Sequence, residues 1–185
     1  MENYKEVADQ WVWHSRYPQY KEFETLFDKI IADNDATGTT TVDGEQTFIP
    51  EDNQDYQRIQ DRFFLWLEQQ LAFKNITEFK CVKSWIIYYN KGGYQGLHVH
   101  QGDFSKNNFS AVIHLDDVPV LHNTKNKFNG MLFSIMPEPD GYQHPQHFPS
   151  IQGGVVCLDG KVWHGVYPTD SIRRTVVYDI EYKRR

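Results

Sequence analysis

The spacing of apolar residues changes character once along this chain, near Asn75, and that change limits the possible folds more than any other feature. Before it, apolar side chains recur at helical intervals. Tyr20, Phe23, Phe27, Ile30 and Ile31 mark one face of a helix over residues 20–31. Ile59, Phe63, Leu67 and Leu71, with Trp66 between them, mark a second helix, and Asp52, Asn53 and Asp55 supply the caps and negative charge suited to its start. Both stripes are expected to face a core. The intervening residues 33–44, crowded with Asp, Asn, Thr and Gly, read as turns. After Asn75 come short runs rich in Val, Ile and aromatic residues, at 79–89, 109–115, 131–136, 154–158, 162–167 and 175–182, divided by Gly, Pro, Asn and Asp clusters. Helices first and strands afterwards predict an α+β chain with N-terminal helices packed on an all-β sandwich or barrel. Residues 116–130 and 137–150 read as long loops, frequent sites of substrate contact on a rigid β scaffold.

A length of 185 residues suits one domain whose core needs no disulfides, with residues 1–75 as helical support and 76–185 as the β core. An aromatic share of 15% leans the same way, since aromatic residues favour strands and pockets. The net charge of −6, without a dense Lys/Arg block, argues against nucleic acid as a partner, and Lys183-Arg184-Arg185 reads as a solvated tail. Cys81 and Cys157 are too few and too far apart for a disulfide framework or a thiolate zinc site, which suits a reducing cytoplasm. No apolar run is long enough to cross a bilayer, and the residues after Met1 lack the pattern of a signal peptide. The expectation is a cytoplasmic protein without a membrane or nucleic-acid partner.

The eight histidines are unevenly placed. His98-Val99-His100 follows the glycine-rich stretch Gly92 to Gly96, and residues i and i+2 of an extended segment project to one face, so both imidazoles can reach one metal ion. His164 stands in a later apolar strand, and Arg174 follows it by ten residues, next to Arg173. Oxygen activation at Fe(II) needs protein ligands on one face of the ion and open positions on the other, usually two histidines and a carboxylate. A chelating 2-oxoacid also needs a cation for its distant carboxylate, and a guanidinium is a two-pronged, permanently charged clamp.

The stretches Trp85 to Tyr89, His98-Val99-His100, Phe109 to Leu115, Gly154 to Pro168 and Arg174 resemble the 2-oxoglutarate- and iron(II)-dependent oxygenases, and within them the prolyl-hydroxylase-like branch. The resemblance spans roughly the last hundred residues. It implies a double-stranded β-helix, the jelly-roll or cupin-like barrel, and a dioxygenase that hydroxylates an unactivated C–H bond. Carried over, His98 is the first ligand, His164 the distal ligand and Arg174 the co-substrate clamp, with Tyr88 or Tyr89 donating to the co-substrate carboxylate. The implied cofactor is Fe(II), the co-substrates are 2-oxoglutarate and O₂, and the substrate is a small molecule or a peptide, with a prolyl, peptidyl or amino-acid group favoured. Oligomeric state is open.

The chain departs from that pattern where the family has Asp or Glu, because His100 stands there. Either His100 is itself the third ligand, or Asp103 swings in after Gly102; the shared face of i and i+2 prefers His100. Arg173 competes with Arg174, since a one-residue slip reverses a strand side chain's face. The alternative function is a cupin-type metal protein or enzyme without 2-oxoglutarate. Cupins generally carry a Glu shortly after His-x-His, whereas Gln101-Gly102-Asp103-Phe104-Ser105 stands here. His144 and His147 are expected to be loop histidines and His14 and His122 surface ones. His114 faces either inward or outward, and Trp11, Trp13 and Tyr17 are expected to pack against the barrel.

Overall fold

The computed structural model of the chain describes residues 4–7, 10–33, 41–100, 107–120, 127–137 and 143–184. The two helical stripes form α1 (Lys21–Asp33) and α2 (Gln54–Gln70), the latter opened by Asn53, whose side chain accepts from the Tyr56 N–H. The strands are β1 (Tyr4–Val7), β2 (Gln10–Arg16), β3 (Thr41–Phe48), β4 (Ile76–His98), β5 (Asn108–His114), β6 (Leu132–Pro137), β7 (Gln143–Phe148), β8 (Gly154–Asp159), β9 (Trp163–Val166) and β10 (Arg173–Arg184). They pair in the order β1-β2-β8-β5-β10-β4-β9-β6-β7, with β3 also on β4.

The long β4 joins two layers. It pairs with β10 from Ile76 to Tyr89 and with β9 at Gln95 and His98, with an irregularity between those last two positions. A major layer (β1, β2, β8, β5, β10 and the start of β4) therefore turns over into a minor one (the end of β4, β9, β6 and β7). Val12, Val112, Val156 and Val177 of the first layer share one buried cluster with Leu132, Met136, Phe148 and Val166 from the second. Two antiparallel layers closed face to face make a double-stranded β-helix.

The outer face of the major layer is covered as well. Phe23 and Phe27 of α1 and Phe63 and Leu67 of α2 pack on Ala111, Ile113, Val176, Tyr178 and Ile180. Strands buried on both faces read as continuous apolar runs rather than alternating ones. The alternation persists in direction: along β10, Val176, Tyr178 and Ile180 face the helices, while Arg173, Thr175 and Val177 line the interior.

The helices and the later strands stand close to where periodicity puts them. The first 75 residues, however, are not purely helical support, because β1, β2 and β3 lie among them and join the sheet. Trp11 and Trp13 on β2, with Tyr17 just beyond, pack in the helix-side core as expected. β4 runs through the glycine-rich stretch, and β7 occupies most of a segment that reads as loop. Among the described residues, no helix is long and apolar enough to cross a membrane.

Candidate metal centre

His98 and His164 lie directly opposite each other on β4 and β9, and His100 follows two residues beyond the end of β4. One ring nitrogen from each of the three lies within 4.8 Å of the others. The ring centroids of His98 and His164 are 4.3 Å apart, those of His100 and His164 4.9 Å.

The opposite edge of each ring is held. Nδ1 of His98 donates to the Gly96 carbonyl at 2.8 Å, and Nδ1 of His164 to the Val162 carbonyl at 2.9 Å. Nδ1 of His100 bonds the Asp179 carboxylate at 2.5 Å. Partners that only accept assign the proton to Nδ1 and leave the Nε2 lone pairs free, as a ligand set requires. Burial lowers the pKa of His98, and lowers that of His164 well below the ordinary range with help from its two histidine neighbours. Neutral imidazoles are what a metal needs. The donor set therefore fits a divalent transition ion. Close packing keeps β9 in place: a Cβ on Gly165 would come within 2.8 Å of Phe133 Cζ and 2.9 Å of the Gln95 carbonyl.

The same cavity contains a cation. Arg173 is 1% exposed and lines it together with Tyr89, Gln95, Thr175 and the three histidines. Its Nη2 donates to Nδ1 of His114 at 3.3 Å, while Nε and Nη1 have no hydrogen-bond partner. The Tyr89 ring lies 4.9 Å from the guanidinium carbon, and the Tyr89 hydroxyl donates to Gln95. Burial lowers the Arg173 pKa and, with the Arg173 charge second, lowers that of His114. A buried guanidinium left this short of partners calls for an anion.

Strand direction separates the sequence candidates. Arg174 points to the helix side, where it binds Asp116 through Nε and Nη2, contacts Asp28 of α1, and lies over the Phe27 ring. The Asp116 carboxylate raises its pKa. Tyr88 lines that same outer groove beside Arg174, whereas Tyr89 faces the histidines. Arg174 and Tyr88 are thus not in the cavity with the histidines, and Arg173 and Tyr89 are. His114 faces inward. His147 stacks on Phe128 and bonds the Tyr167 hydroxyl, and among the described residues neither it nor His144 joins a metal-competent cluster. His14 packs edge-on against Phe148. Asp103 and His122 lie outside the described residues. Asp179, bonded to His100, and Gln95, in the cavity lining, belong to no sequence motif; for Asp179 a carboxylate inside the apolar run Val176 to Ile180 is the available signal.

No protein-family model and no curated protein matches the sequence. Solved structures do match. A prolyl-4-hydroxylase of Pseudomonas putida superposes with TM-score 0.59 at 20% identity, over 94% of this chain and 92% of its own. A Trichoplax adhaerens prolyl hydroxylase, solved with a hypoxia-inducible-factor peptide fragment, gives 0.65 at 11% identity, over 92% and 82%. HygX of Streptomyces hygroscopicus, solved with nickel, 2-oxoglutarate and hygromycin B, gives 0.64 at 10%, over 92% and 82%. At such identities the likeness is one of architecture, and the chain has the double-stranded β-helix fold of these oxygenases.

Proposed function

We propose that this chain is an Fe(II)- and 2-oxoglutarate-dependent oxygenase that hydroxylates an unactivated C–H bond, with a peptidyl or amino-acid substrate favoured. The observation that carries the reading is a buried guanidinium with two unpartnered nitrogens lining the same cavity as three convergent imidazoles. The fold shared with prolyl hydroxylases and HygX supports it.

His98, His100 and His164 would hold the iron through Nε2. When bound, the iron supplies O₂ activation coupled to conversion of 2-oxoglutarate into succinate and CO₂. Arg173 binds and orients the far carboxylate of 2-oxoglutarate, a bidentate task suited to a guanidinium. Tyr89, over the guanidinium and tied to Gln95, holds that clamp in place. Ile87, Val112, Leu132, Val166 and Val177 complete an apolar lining that excludes water. A cupin-type protein without a 2-oxoacid has no use for Arg173.

The test is calorimetry under anaerobic conditions with Mn(II) and then 2-oxoglutarate. Wild type is expected to bind both, Arg173→Gln to keep the metal and lose 2-oxoglutarate, and Arg174→Gln to keep both. Metal binding without 2-oxoglutarate binding in the wild type sinks the oxygenase reading in favour of the cupin one.

A further inference from the structure

His-x-His leaves three neutral ligands where the usual set includes a carboxylate. A carboxylate is nevertheless present one hydrogen bond behind the ligands. Asp179 lies on β10, and from Arg173 through Thr175 and Val177 every second residue faces the cavity; Asp179 is the next in that series. Its Oδ1 takes the His100 Nδ1 and, at 2.7 Å, the hydroxyl of Ser110 on the neighbouring β5. The face of the His100 ring is stacked on Trp85 at 5.4 Å. Asp179 thus grips the edge of His100, Trp85 its face, and Ser110 fixes Asp179. The other two histidines lean on backbone carbonyls, which carry no net charge.

We infer that Asp179 is a positioning residue that supplies the missing negative charge to the metal centre through His100. The inference rests on the triad being a metal site. A carboxylate accepting from Nδ1–H fixes the ring's orientation and makes its Nε2 a stronger donor than a carbonyl partner does. His100 then stands in for the absent carboxylate ligand electrically as well as in position. One strand carries both charged supports of the site, the Arg173 cation toward one end and the Asp179 anion further along.

The experiment compares wild type with Asp179→Asn, a near-isosteric change that removes the charge. Mn(II) binding is followed by calorimetry and the Fe(III)/Fe(II) potential by anaerobic redox titration. The variant is expected to bind Mn(II) 10- to 100-fold more weakly and to have a higher potential, with Asp179→Glu recovering part of both. Equal affinity and equal potential in Asp179→Asn overturn the role of Asp179 while leaving the triad intact. Failure of the wild type to bind Mn(II) overturns the metal site itself. If the variants do not fold, ¹⁵N-histidine spectra of the Zn(II)-loaded wild type decide. One ring N–H well downfield of the other two supports a carboxylate partner, and three similar signals overturn it.

Discussion

Arg173 and Arg174 are neighbours that face opposite sides of one strand. Arg173 is buried and short of partners, so without an anion it burdens the fold. Arg173→Met is therefore expected to stabilise the metal-free, co-substrate-free chain by ~1–3 kcal/mol while abolishing 2-oxoglutarate binding, as urea melts and calorimetry would read. Arg174→Ala should instead lose about 0.5–1 kcal/mol, since its pair with Asp116 is only partly buried, and leave 2-oxoglutarate binding unchanged. His114 sets a pH dependence. Its folded-state pKa lies well below the ordinary ~6.5, so below that pH the unfolded chain takes up a proton that the folded one refuses. Stability is full above ~6.5 and declines as the pH falls. The urea midpoint of the metal-free protein should drop between about pH 7.5 and 5.5, and His114→Gln should reduce the slope; an unchanged slope would count against it. The histidines were legible in the sequence because i and i+2 geometry is local and His164 follows in a recognisable strand. Which of the two arginines lines the cavity with them was not, because Val176, Val177 and Tyr178 are apolar on both faces and conceal the parity of the strand.

At the scale of elements, the placement of β9 between β4 and β6 decides whether His164 meets His98. Gly165 permits that spacing. Gly165→Ala forces Phe133 or the β4 backbone to give way, with an expected cost of about 1–3 kcal/mol and weaker metal binding; a thermal melt and a Mn(II) titration would check both. The helices were legible because a period near four leaves a plain stripe. β3 and β7 were hidden for the opposite reason. β3 is a mostly polar, half-buried run broken by Gly44, and β7 contains Pro145 and two histidines, so neither displays the apolar alternation of a half-buried strand. Partners in other parts of the chain, such as Asp179 behind His100, are equally invisible, since 79 residues separate them.

For the molecule as a whole, two cores lie on opposite sides of the major layer. One, under the helices, is a pile of aromatic rings in which Phe63 touches Tyr17, Phe23, Trp66 and Tyr178. The other surrounds the candidate site. Phe63→Ala should cost about 3–5 kcal/mol yet leave Mn(II) affinity within a factor of about three, because the site's lining belongs to the second core. A parallel loss of affinity would mean that the layers respond as one. The ring of Trp85 resting flat on His100 has a further consequence. Indole emission is quenched by a paramagnetic centre at such short range, so the chain contains its own optical gauge. Fluorescence should dim as Co(II) or Fe(II) enters, and Trp85→Phe should weaken that response.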